Sequence, residues 1–218
     1  CRAAVDASGS AVLYRLCGEE TRRNPIGNPV AGWYYASEKK GLKLKMLGFA
    51  DSAFGEMNAD ARFGGERAEE VNRFLYMSHE RTLRMICRIK SRREMRYQDE
   101  GDSVPDSIGM VGDWRRRGPR FEVPYEALYG RTENLYAAGR IVSCDDCEMW
   151  DVMRVIPCCA VTGEAAGIAA ALTDSSRSSA EAVQDALRRA GQKLHFGELD
   201  DEVAPAPGRS DGDVFCVF

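Results

Sequence analysis

The stretch RVIPCCAVTGEAAGIAAAL (154–172) constrains this chain more than any other. Two adjacent cysteines follow a proline, then Gly163 opens a run of alanines broken by a second glycine, Gly167. The run predicts a helix over 158–172, fixed in direction by Pro157 just before it. Small side chains at Gly163, Ala165, Ala166 and Gly167 leave the surface of that helix bare near its start. The N–H groups of a first helical turn have no intrahelical partner and point at whatever lies before them. Such a start suits a phosphate or the electron-rich edge of a flat ring. It suits equally a neighbouring sheet packed close, with no ligand at all.

A second segment favours the ligand. NLYAAG (134–139) reads as a core strand whose terminal Gly139 permits a close approach, with Arg140 directly after it. The chain then returns to the small-residue helix through Arg154. A strand ending in glycine and arginine, a loop and a bare helix build a cleft at the strand's carboxyl end, where open α/β sheets bind their ligands.

Around these segments the chain alternates strands and helices, a mixed α/β pattern. RAAVDASG (2–9) predicts a short buried strand with a small-residue turn, and SAVLYRLCG (10–18) a short helix stopped by glycine. Residues 19–30 read as loop, and GWYYASEKKGLKLKMLGF (32–49) as an antiparallel hairpin around a charged link containing Gly41. Residues 50–65 read as irregular. Val71, Leu75, Ser78, Thr82, Met85 and Ile89 recur at three- and four-residue steps, which predicts a long helix over 66–89. Its glutamates at the start and arginines at the end have the signs that the helix dipole favours. Residues 91–120 read as a charged crossover, and FEVPYEAL (121–128) as an edge segment followed by a turn of helix. Ser178 with Glu181 predicts a capped helix ending at Gly191, and 198–218 an acidic tail.

The formal net charge of −4 argues against a nucleic-acid partner, and no apolar run is long enough to cross a bilayer. The opening CRAAVDASG has no signal-peptide pattern, so the expected setting is the cytoplasm. It starts without Met in what reads as mid-strand, which predicts a piece of a longer protein. The eight cysteines are too dilute and irregular for a disulfide scaffold and are expected as free thiols. Cys144 and Cys147 have the gap of a redox pair or half a zinc site, but adjacent Cys158 and Cys159 complete no tetrahedral set, so no metal is predicted. His79 and His195 give no Cys–His nucleophilic pair. WRRRGPR (114–120) reads as a solvated crossover, or else as presenting Arg115, Arg116 or Arg117 to an anionic substrate.

VPYEALYGRTENLYAAGRIVS (123–143) together with 154–172 resembles the C-terminal flavin-binding segment of FAD-dependent oxidoreductases of the glutathione-reductase-like fold. The resemblance runs through Pro124–Tyr125, Leu128, Asn134–Leu135, Ala138–Gly139–Arg140, Ser143, Arg154, Pro157 and Gly163–Gly167. AVQDALRRAGQKL (182–194) is similar to the family's closing helix, and VDASGS (5–10) to the strand and turn that lead out of its nucleotide-binding domain. The resemblance implies part of a split FAD-binding Rossmann-like domain (1–18 and 120–197) with a substrate-side domain (19–119) that carries antiparallel strands and the long helix. It implies FAD contacts at Gly9, Gly139, Arg140, Arg154, Ile156, Gly163, Glu164, Ala165 and Gly167. Cys147, Trp150 and Cys158 are the substrate or redox candidates.

The implied activity moves a hydride or electron pair between FAD and a small organic substrate. No GxGxxG occurs in the chain, so the pyrophosphate-cradling turn is expected upstream and this chain alone is expected to be inactive. Relatives carry Gln where Glu164 stands, and loop 144–153 lacks their histidine, which leaves the catalytic acid or base unassigned. The alternative is a non-catalytic binding or assembly module using the same cleft or the long helix, and homo-oligomer formation stays open.

Overall fold

The computed structural model describes residues 1–23, 30–38, 41–50, 74–77, 82–83, 87–145 and 148–199. It divides into two compact units, Cys1–Arg22 with Arg88 onward, and Arg23–Cys87. Residues 88–119 thus cluster with the first unit, whereas the sequence reading puts them with the second.

Strand β1 (Ala4–Asp6) ends at a buried aspartate that organises the adjoining turn and helix. Asp6 Oδ1 accepts the Ser8 N–H at 3.0 Å, and its Oδ2 accepts those of Leu13 and Tyr14 at 2.8 and 3.3 Å. A carboxylate from the preceding strand therefore supplies the acceptors for the unpaired donors of helix α1 (Val12–Leu16). Gly18, with φ +70°, ends it as expected. Strand β2 (Thr21–Arg23) leads out of this unit.

The second unit is antiparallel. Strand β3 (Val30–Glu38) is central, paired along its length with β4 (Gly41–Ala50) as the predicted hairpin. Its other edge pairs with β5 (Phe74–Met77) and β6 (Thr82–Leu83). The chain re-enters the first unit in strand β7 (Cys87–Ile89), which pairs with β2. These three strands occupy ground where the sequence predicts a helix over 66–89. The helical stripe includes the polar Ser78 and Thr82, while Phe74-Leu75-Tyr76-Met77 is a short aromatic run that suits a strand, and pairing with β3 overrides the helical spacing. The remaining residues of 66–89, and the reading of 51–65, lie outside the described residues.

Back in the first unit, β8 (Ser107–Gly112) is a buried strand inside the expected crossover. It pairs with β9 (Arg120–Pro124), with a register shift between Ser107 and Met110 where Gly109 takes φ +144°. A turn of 3₁₀ helix comes next at Tyr125–Leu128, as FEVPYEAL implies. Strand β10 (Leu135–Ala137) is fully buried and runs parallel to β1, with Ala4 opposite Leu135 and Asp6 opposite Ala137. The Tyr14 hydroxyl donates towards the Leu128 and Leu135 carbonyls at 3.1 and 3.0 Å and ties α1 to this pair.

Three helices close the unit: α2 (Glu148–Met153), α3 (Ile156–Leu172) and α4 (Ala180–Arg189). Helix α3 buries Cys158, Thr162, Ala165, Ala166 and Ala169, a small-residue stripe that lets it lie close to its neighbours. The cap of α4 is Ser179, whose hydroxyl accepts the Ala182 N–H at 3.2 Å, one residue later than predicted. Ser178 is instead buried, bonded to the Tyr125 and Tyr136 hydroxyls at 2.9 and 3.2 Å. Among the described residues no helix is long and apolar enough to cross a membrane, and no cluster of His, Cys, Asp or Glu could hold a metal ion.

Candidate functional site

Parallel pairing brings the carboxyl ends of β1 and β10 side by side, and the chain leaves each through a glycine. Gly9 has φ +71° and Gly139 φ +73°, left-handed values that a side chain resists. Between them lies Arg140, whose Nε donates to the Gly9 carbonyl at 3.2 Å. A Cβ on Gly9 would run into the Arg140 guanidinium, so glycine there serves both the turn and the seat of the arginine. Arg140 is half-buried, and burial lowers its pKa from the ordinary value while the Cys159 sulfur opposes the shift. Among the described residues no carboxylate pairs with it. Arginine keeps its charge under such conditions, so among these residues an uncompensated cation stands at the two strand ends.

Gly139 behaves differently from the expectation of a bare approach. Its N–H donates to Thr162 Oγ1 at 3.0 Å, and a Cβ there would rest 3.5 Å from Cys159 Sγ, an ordinary contact. The glycine is therefore required by its backbone angle, and what approaches it is helix α3. Thr162 and Cys159 are not among the site residues that the sequence suggests. Only the spacing of the buried stripe 158, 162, 165 and 169 could mark Thr162.

Helix α3 begins at Ile156, with Val155 as its cap residue and Pro157 inside its first turn. This corrects the predicted start at 158 and the placing of 163–167 at the helix start. Amides 163–167 lie in the helix interior, within the intrahelical ladder. The first-turn donors without an intrahelical acceptor reduce to those of Ile156 and Cys158, because Pro157 has none and the Cys159 N–H reaches the Val155 carbonyl at 3.0 Å. What 163–167 offers is surface. A Cβ at Gly163 or at Gly167 would meet nothing within 4 Å. Ala160, Glu164 and Gly167 are exposed on the same side, and Ile156 at its head is 77 % exposed. Ala165 and Ala166 are fully buried on the opposite side.

The remaining predicted residues gather elsewhere. Arg154 Nε donates to Asp151 Oδ1 at 2.6 Å, and its guanidinium lies 5.5 Å from the rings of both Trp114 and Trp150. Trp150 is buried, and its indole N–H has no partner among the described residues. Arg115 bridges Asp113, at 2.8 and 2.9 Å, and Asp151 at 3.3 Å, while Arg116 pairs with Glu148 at 2.8 Å. Burial would raise the Asp113 carboxyl, but the Arg115 side chain and backbone and the Tyr97 hydroxyl outweigh it and hold it at about 2. Arg115 is thus spent on a largely buried ion pair, whereas Arg116 pairs with Glu148 at the surface.

Cys158 is buried, donates to the Val152 carbonyl at 3.2 Å, and is pushed up to about 12 by that burial. Cys144 is raised by burial to the same value, and Cys159, half-buried, is raised as well, with Arg140 opposing. Cys147 and His79 lie outside the described residues. His195 Nδ1 sits 2.9 Å from buried Glu122, and since the carboxylate only accepts, that nitrogen carries the proton. A shallow recess lined by Arg93, Arg96, Asp99 and Phe121 contains none of the predicted residues.

The structure therefore brings together Gly9, Gly139 and Arg140, presents Ile156, Gly163, Glu164 and Gly167 on one open helix side, and sets Arg154 and Trp150 in a separate aromatic cluster. No curated protein matches the sequence, and no solved structure matches it. A scan of protein families matches FAD dependent oxidoreductase over residues 78–194, just over half of the 218 residues, taking in β10, the Gly139–Arg140 turn and all of α3. The chain belongs to the FAD dependent oxidoreductase family.

Proposed function

We propose that the cleft at the ends of β1 and β10, with the open side of α3, forms part of an FAD site in an enzyme that moves a hydride or electron pair to or from a small organic substrate. The observation that carries this reading is the open pair Gly163 and Gly167. Glycine in a helix interior costs about 1 kcal/mol relative to alanine. An added Cβ at either position meets nothing within 4 Å among the described residues, so the described packing requires neither glycine. A flat molecule lying along the helix supplies that requirement.

The residues present fit the cofactor. Arg140, half-buried and without a carboxylate among the described residues, suits the phosphate side of FAD, and Gly9 holds the guanidinium there through its carbonyl. Exposed Ile156 offers apolar surface at the head of α3, and the Ile156 and Cys158 amides offer donors where charge collects on a reduced ring. Bound FAD supplies the redox chemistry itself. Glu164 is exposed on the same open side, so its carboxylate stands beside the proposed cofactor, where its charge opposes reduction of the ring. Arg154 acts through Asp151, by fixing the turn between α2 and α3.

In this reading β1 and β10 belong to a split Rossmann-like domain of the glutathione-reductase-like type, its glycine-rich turn lies upstream of this sequence, and the antiparallel unit carries the substrate side. A cytoplasmic setting and free thiols accompany it. The same open helix side favours one rival, a binding or assembly module in which a polypeptide covers α3.

Titration with FAD, followed by flavin fluorescence and the visible spectrum, tests the choice. Saturable quenching that Arg140→Ala weakens supports the cofactor site. A protein that leaves FAD unquenched, both alone and with its upstream sequence restored, refutes it and leaves the covering polypeptide.

A further inference from the structure

We propose that Thr162 is the positioning residue that sets the Gly139–Arg140 turn, an inference that rests on the cofactor reading above. Thr162 is fully buried on α3. Its hydroxyl lies 2.8 Å from the Cys158 carbonyl and 3.3 Å from that of Cys159, both of which only accept, so its one hydrogen is spent inside the helix. The lone pairs left over face the Gly139 N–H at 3.0 Å. The direction of both bonds is thereby fixed: the hydroxyl donates within α3 and accepts from the end of β10.

The bond falls where it has leverage. Gly139 is the residue whose φ of +73° turns the chain out of the sheet, and Arg140 is the next residue. Arg140 in turn reaches the Gly9 carbonyl at 3.2 Å. One hydroxyl thus links α3 to the β10 turn, and through Arg140 to the turn after β1. The hydroxyl is the only part of the side chain that this linkage uses. Valine has the same branched shape and fills the same space, but would leave the Gly139 amide without its acceptor. Serine keeps the acceptor and loses a methyl group.

Thr162→Val and Thr162→Ser in the full chain separate these roles. Hydrogen–deuterium exchange of the amides at 138–143 reads the turn directly, and FAD titration reads its consequence. Thr162→Val is expected to speed exchange at Gly139 and to weaken FAD binding, each on the order of tenfold. Thr162→Ser is expected to match the wild type in both, which a purely space-filling role would not produce. Unchanged exchange in Thr162→Val overturns the proposal at the level of geometry. Faster exchange with unchanged FAD affinity overturns its connection to the cofactor. Should the wild type bind no FAD, both alone and with its upstream sequence restored, the cofactor reading fails and takes that connection with it, while the exchange data still report whether Thr162 holds the turn.

Discussion

Replacing Gly163 and Gly167 by alanine tests whether the open side of α3 is built for something outside this chain's own packing. Both residues are helical, both lie inside a 17-residue helix, and an added Cβ meets nothing within 4 Å at either. Neither substitution brings strain, and each recovers the helix preference that glycine gives up, about 1 kcal/mol. The two positions are neighbours one turn apart, so the simple sum of about 2 kcal/mol is the upper end of the combined gain. For a chain of this size that corresponds to an unfolding temperature roughly 4–8 °C higher. Thermal unfolding followed by circular dichroism, with and without FAD, measures both halves of the expectation. Without cofactor the double variant is more stable than the wild type. On the proposed placement of FAD, the added methyl groups stand where the molecule would lie, and affinity is expected to fall by about tenfold or more, equivalent to about 1.4 kcal/mol. A double variant less stable than the wild type would mean that the chain itself packs on this side. A more stable variant with undiminished FAD binding would sink the claim that the glycines serve the cofactor. Only the trade of affinity for stability supports it.

Other features of the fold make equally definite statements. Asp113 is lowered from the ordinary 3.8 to about 2, so its contribution is complete above the unfolded value and disappears as pH falls through about 2. Asp113→Asn should therefore lower urea stability by about 2 kcal/mol at neutral pH, and the gap to the wild type should close near pH 2. Ser179→Ala should cost about 1 kcal/mol through loss of the α4 cap. Ser178→Ala should cost more, because two buried tyrosine hydroxyls and the Ala169 carbonyl each lose one of their partners, and the reverse order in chemical denaturation would restore the predicted cap at Ser178. Alkylation of the native protein with iodoacetamide at about pH 8, where free thiols begin to ionise, should label exposed Cys1 and Cys17 well before buried Cys144 and Cys158 when read by mass spectrometry. Early labelling of Cys158 would reopen its candidacy as a redox thiol.

What the sequence discloses and what it withholds divide along the range of the interactions involved. The β1 strand, α1, the β3–β4 hairpin and the β10 strand with its Gly139 turn are written in local signals: glycines at φ +70° and +73°, alternation in a hairpin, a short apolar strand. The α3 start departs from its predicted place for an equally local reason. Proline is at home in a first helical turn, so Pro157 belongs inside the helix rather than before it. That small shift changes what the glycines are, from donors at a helix start to open surface in its interior. The other departures depend on partners distant in the chain. Arg154 faces Trp114, contributed by the turn after β8, and Ser178 is drawn into the core by Tyr125 and Tyr136. Strand β5 exists because β3 offers it an edge. Thr162 shows the same limit at the site itself. Nothing in TGEAAG announces that its threonine accepts from an amide 23 residues earlier, since that bond exists only once α3 lies on β10. The resemblance picks out small residues at Gly139, Gly163 and Gly167, and the fold decides which of them meets the chain and which stand open.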